Sequence, residues 1–188
     1  MNQQRVQAIA LPHGAESALA GNRVIRNTYM LLSMTMFAAA ATAGLSVALK
    51  LPHPGIIITL VGYFGLLFGI SRMRNSGWGV ALVFALTAFM GYTLGPIISH
   101  YLSLPNGGQT VMMAMGGTAA IFFEVPALSL TVSPAFVLLM SGLILYETSN
   151  IIHGGETNYV MATVSLFVSI FNLFTSLLHL LGFASSGD

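Results

Sequence analysis

The chain has 188 residues, of which 55% are hydrophobic and only 6% charged, with a mean hydropathy of +0.83. A soluble domain carries about 25% charged residues, so this composition indicates a polytopic helical membrane protein; its apolar runs are continuous, unlike the alternating segments of about ten residues in a β-barrel. Net charge near +1 offers nothing to nucleic acid, and the absence of cysteine removes disulfides, thiolate nucleophiles and thiolate metal sites.

Residues 1–27 are polar and small, with Arg5, Arg23 and Arg26. The apolar part of this stretch is too short for a signal peptide and is broken by Pro12. It reads as a mobile cytosolic tail, followed by one transmembrane helical domain over residues 28–188. Hydropathy predicts six segments, residues 28–49, 55–70, 78–104, 111–123, 129–146 and 160–183, joined by short connections such as "KLPHPG" and "SRMRNSG". Arg23 and Arg26 precede the first segment and Arg72 and Arg74 follow the second. Positive charge stays cytoplasmic, which puts both of these ends on that side, with Lys50 a minor exception outside. No Lys or Arg follows Arg74, so the rule is silent about the rest.

Membrane helices approach one another through small residues. In the second segment Gly62, Gly65 and Gly69 fall on one face, in the third Gly91 and Gly95 form a G-x-x-x-G pair, and the first contains the run "AAAATAG". Pro96 should kink or interrupt the third helix and free carbonyls, which could line a cavity. The fourth segment, "VMMAMGGTAAIFF", is short for the roughly 20 residues of a span.

In the last segment Ser165, Ser169, Asn172, Ser176 and His179 recur at intervals of four, three, four and three, which aligns them in one stripe. A polar stripe on a spanning helix must face protein or water, so this helix is expected inside the bundle. The stripe serves either interhelical hydrogen bonding or a water-filled cleft or ion path. Ahead of it lies "YETSNIIHGGETNY", two carboxylates and a histidine in a chain with five acidic residues. Glu147 and Asn150 share a helical face. At membrane depth desolvation disfavours a charged carboxyl, so Glu147 is either a proton-sensitive gate or an interfacial residue reaching water. His153, Gly154, Gly155 and Glu156 read as a turn, with Glu156 near the positive end of the last helix. Their spacing matches no standard metal-ligand pattern. There is no nucleophile–base pair, phosphate loop or cofactor box, so neither an enzyme nor a cofactor is expected.

"RNTYMLLSMTM", "LPHPGIIITLVGYFGLLF", "GYTLGPIISHYL" and, above all, "ETSNIIHGGETNYVMATVSLFVSIFNLFTSLLHLLGFAS" resemble the Bax inhibitor family, more narrowly its bacterial YccA branch. The resemblance implies an all-α bundle of seven spanning helices with the last one central. It also implies residence in the bacterial inner membrane, and as partners the AAA protease FtsH and its associated membrane proteins. Against that pattern the chain passes straight from "GGTAAIFF" to "EVPALSL", short between 123 and 124 by roughly thirty-five residues, more than one span of about 20. Either this is a true deletion, or, as expected here, an unresolved stretch has been closed up in the numbering. With the missing helix "ETSNIIHGGETNY" faces the cytoplasm and the C-terminus the periplasm; without it both reverse.

Some relatives use two acidic residues as a pH-sensitive latch over a calcium leak. Glu147 occupies the first of these positions, but the second corresponds to Ser169, which cannot share a proton as a second carboxyl would. The resemblance therefore points first to protease modulation, through the bundle and the tail. A cation path along Ser165, Ser169, Asn172 and Glu147, with calcium as the ion, is the alternative.

Overall fold

A computed structural model describes residues 13–122, 134–153 and 155–185, all of it helix and connecting turn. The helices are α1 (His13–Ala48), α2 (Ile56–Met73), α3 (Gly77–Leu102), α4 (Gly107–Phe122), α5 (Pro134–Ile152) and α6 (Tyr159–Ser185). Among them Arg23–Ala48, Ile56–Met73, Gly77–Leu102 and Tyr159–Gly182 are long and apolar enough to cross a membrane. α4, at 16 residues and a rise of 1.5 Å each, measures about 24 Å against a hydrocarbon core of about 30 Å. The outer face of α2 carries Ile56, Ile57, Val61, Phe64 and Phe68, each more than 60% exposed. Such a face belongs in hydrocarbon.

The six segments correspond to six helices, but α1 begins at His13, well ahead of the expected start at residue 28. The later part of the supposed mobile tail is therefore helix, and Val24 and Ile25 pack against the core. Residues 1–12, the junction at 123/124 and Gly154 lie outside the described residues.

α6 is the central element and touches each of the other five helices. One core cluster joins Leu32, Ile70, Val83, Leu86 and Ile151 to Val160, Leu166 and Ile170 of α6; a second joins Tyr101, Val111, Ala114 and Ile144 to Leu173, Leu177 and Leu178.

The small residues do what their spacing predicts along α1 and α3. A Cβ on Gly91 would meet the Ala39 carbonyl oxygen and Thr42 Oγ1, and one on Gly95 would meet the Ser46 side chain. Gly62 and Gly69 face Phe89 and Leu82 of α3, whereas nothing lies within 4 Å of a Cβ on Gly65. Backbone-to-backbone approach of this kind replaces the hydrophobic drive that lipid cannot supply.

Pro96 sits inside a continuous α3. Having no N–H, it leaves the carbonyl four residues earlier, that of Tyr92, without its helical donor. Ser46 Oγ of α1 donates to that oxygen at 3.1 Å. The freed carbonyl thus becomes part of the α1–α3 seam instead of lining a cavity. Buried threonines solve the same problem locally: the hydroxyls of Thr35, Thr87, Thr93 and Thr163 donate to carbonyls three or four residues back. Thr28 is the exception among the described residues, its Oγ1 buried without a partner.

Candidate functional site

α1 and α3 run side by side in the same direction, so Arg23 and Arg26 lie at the end of the bundle where the α2–α3 turn carries Arg72 and Arg74. All four guanidinium side chains are exposed. The polar stretch 146–158 comes to this same basic end, because Asn158 bonds to that turn: its Nδ2 donates to the Arg74 carbonyl at 3.2 Å and to Asn75 Oδ1 at 2.7 Å.

Asn158 holds three elements at once. Its Oδ1 accepts from the backbone N–H of Val160 and Met161 at 3.1 and 3.2 Å, capping α6. Its own N–H donates to Glu156 Oε1 at 2.8 Å, so that carboxylate lies just ahead of the positive end of α6. Asn158 carries a signal that sequence alone could have shown, since an asparagine immediately before an apolar run is a recognisable helix start.

The end of α5 closes on itself. The Asn150 carbonyl accepts from Gly155 N at 2.8 Å and Glu156 N at 3.2 Å, and the first of these is the 6→1 bond that terminates many helices. A Cβ on Gly155 would collide with Asn150 Oδ1, so a larger residue there would have to displace the Asn150 side chain. His153 folds back on its own helix, with Nδ1 2.8 Å from the Ser149 carbonyl. The Ser149 hydroxyl lies 3.1 Å from the same nitrogen.

α1 joins the cluster through Tyr29 Oη, 3.4 Å from Thr148 Oγ1 on α5, and through the Thr28 carbonyl, which accepts from Thr163 Oγ1 of α6 at 3.3 Å. Glu147 stands half-buried one residue before Thr148. Among the described residues no three His, Cys, Asp or Glu side chains gather closely enough to hold a metal ion.

The polar stripe is not where the sequence placed it. α6 is central, yet of the five stripe residues only Ser169 is buried; Ser165 and Ser176 are half-buried, and Asn172 and His179 are exposed. At 3.6 residues per turn, the buried Thr163, Phe167, Ile170, Leu177 and Leu178 lie on the opposite side. Hydrophobic packing chose the apolar face, and the polar one was left on the open side. Only His179 reaches another helix: its Nδ1 lies 2.6 Å from Tyr101 Oη of α3, at the end away from the arginines. The tyrosine is a partner that sequence alone did not suggest.

A cavity of about 750 Å³ opens between α1, α3, α4 and α6. Its walls are apolar and small, including Ala39, Ala43, Gly44, Leu94, Phe167, Ile170 and Phe174, and it includes no residue of the polar stripe.

Comparison with known proteins follows from this geometry. The family model for the inhibitor of apoptosis-promoting Bax1 matches in two pieces, residues 21–125 and 120–186. The chain is 44% identical to the modulator of FtsH protease YccA of Escherichia coli K12, over 94% of this chain and 97% of that protein. It has the same identity to the inner membrane protein YccA of another Escherichia coli strain. An uncharacterized protein of Pseudomonas aeruginosa is 42% identical over 88% of this chain and 91% of its own length. None of these names states a catalytic activity. The Escherichia coli alignment spans 214 positions but draws on 94% of a 188-residue chain, so roughly 37 positions of the relative face no residue here. In the sequence Phe123 is followed directly by Glu124. No solved structure gives a match. The chain belongs to the Bax inhibitor family.

Proposed function

We propose that this protein binds and modulates an FtsH-type membrane protease, together with that protease's associated membrane proteins, from within the bacterial inner membrane. The observation that carries the proposal is its identity, along nearly the whole chain, with a relative named for that role. The geometry agrees in kind: what is organised here is a surface and not a reaction centre. At the end of the bundle where four arginines are exposed, Asn158 ties the α2–α3 turn to the α5–α6 turn. The positive-inside rule favours that end as the cytoplasmic one, which would present the start of α1 and the polar turn on the side where an AAA protease has its catalytic domains. We place the missing roughly 37 positions at the 123/124 junction, where the two family-model pieces meet.

A cation pathway has less support. Among the described residues Ser165, Ser169, Asn172 and Ser176 line neither the apolar cavity nor the pocket beside the α1–α2 connection. The deciding experiment compares the full-length protein with a variant lacking residues 5–20, in cells containing the protease. Recovery of the protease with the intact protein in a mild-detergent affinity capture, and altered turnover of the truncated one, are expected. Capture of this protein alone, with an unchanged half-life, would defeat the proposal. Calcium flux into proteoliposomes that changes on Glu147→Gln would favour the channel instead.

A further inference from the structure

The end of the bundle away from the arginines holds the chain's one lysine, Lys50. There α1 closes with Lys50 N bonded to the Val47 carbonyl at 3.1 Å and Leu51 N to the Ser46 carbonyl at 3.0 Å, the paired bonds of a Schellman turn. Lys50 takes the left-handed position of that turn, φ +50°, which glycine fills at least cost. It lines a pocket of about 540 Å³ with Pro52 and His53 of the α1–α2 connection and with Ser99, Leu102 and Ser103 of α3. No carboxylate is in that lining. The Gly55 N–H donates to His53 Nδ1 at 3.0 Å, so the ring proton is on Nε2 and that nitrogen is a donor. The Ser99 hydroxyl makes no hydrogen bond among the described residues. The two walls are fixed to each other, because Tyr92 Oη of α3 donates to the Pro52 carbonyl at 2.7 Å. Around the rim Leu45, Leu49, Leu51 and Leu102 are exposed.

We infer that this pocket binds the phosphate of an anionic phospholipid headgroup, with Lys50 as the counter-charge and the rim leucines against the acyl chains. Three features select this ligand. An ammonium, an imidazole N–H and a free hydroxyl with no carboxylate among them suit an anion that accepts several hydrogen bonds. Exposed leucines at the ends of spanning helices suit an amphiphile better than a free phosphate. A lysine where glycine would serve the turn better is accounted for when its charge is used. The walls come only from α1, the α1–α2 connection and α3; the relatives' additional positions, placed at the 123/124 junction, supply none of them. The inference is independent of the protease reading.

Full-length protein in dodecyl maltoside would be titrated with dioleoylphosphatidylglycerol, and bound lipid counted by native mass spectrometry. Lys50→Gly suits the turn, so it should keep or raise the thermal midpoint in lipid-free detergent while weakening lipid binding about tenfold. Lys50→Arg should retain the lipid. A protein carrying Arg72→Gln and Arg74→Gln, changed at the other end, should lose far less. Unchanged binding by Lys50→Gly would overturn the inference. Equal losses from the two ends would do the same, since they would reduce the effect to general charge. A lower thermal midpoint for Lys50→Gly without lipid would assign the lysine to the negative end of α1 instead. Displacement of the lipid by inorganic phosphate, beyond that by potassium chloride at equal ionic strength, would give the pocket to a free anion and overturn the lipid.

Discussion

The α1–α3 seam and the open side of α6 solve the membrane's polar problem in opposite ways. Along the seam glycine brings backbones into contact, and the one carbonyl that Pro96 strips of its donor is taken up by Ser46. Along the polar row of α6 Asn172 is exposed and Ser165 and Ser176 are half-buried, and among the described residues none of the three bonds to another helix. The first arrangement makes an interface that tolerates little change, and the second has no interhelical bond at those three positions to lose.

The widest separation between the two kinds of packing comes from glycine. Gly91→Leu drives a side chain into the Ala39 carbonyl and Thr42, where backbone cannot retreat, and should cost about 3 kcal/mol or more. Gly44→Leu, on the same seam-forming helix but with nothing within 4 Å of a Cβ, should cost far less. Thermal or SDS-driven unfolding of the two purified variants measures this directly, and equal losses would mean that the close approach does not bear on stability.

Asn158 tests the basic end. Asn158→Ala removes two caps and both ties to the α2–α3 turn, for an expected loss of about 2 kcal/mol. Asn158→Asp keeps the capping oxygen while discarding the donors to Arg74 and Asn75, and should recover about half of it. If aspartate restores full stability, the ties to the turn contribute nothing.

Much of this architecture was legible beforehand. Apolar run lengths gave the helices and their order, and glycine spacing marked faces of close packing without naming their partners, because both are local properties of one segment. What stayed hidden involves two segments. The stripe on α6 was read correctly as a stripe, but its direction depends on which neighbours are present, and the apolar face competed for them successfully. Ser46 could not be matched to Tyr92, nor Tyr101 to His179, without knowing that α1 runs beside α3 and that α6 ends beside it. Asn158 is different: its capping role was local and readable, and only its reach to Arg74 and Asn75 needed the fold.

The Ser46 bond separates a repaired proline from a merely tolerated one. Ser46→Ala leaves the Tyr92 carbonyl buried and unsatisfied, which should cost about 1–2 kcal/mol. Pro96→Ala restores an N–H to that carbonyl, so in its presence Ser46→Ala should be nearly neutral. The coupling in this double-mutant cycle is the signature sought; additive effects would mean that the helix had already satisfied Tyr92 in another way.

The smallest expected effect lies where the stripe meets the rest of the bundle. Tyr101→Phe removes the hydroxyl 2.6 Å from His179 Nδ1 but keeps the ring that packs against Gly182, so the loss should be about 0.6 kcal/mol, the average for a hydrogen bond between membrane helices. His179→Leu loses the same bond and also removes a polar group from the open side, which in lipid is favourable. The two substitutions therefore break one contact with different outcomes: Tyr101→Phe should destabilise, and His179→Leu should be neutral or stabilising. Equal destabilisation by both would mean that His179 is satisfied within the chain and that the open row ends at Ser176.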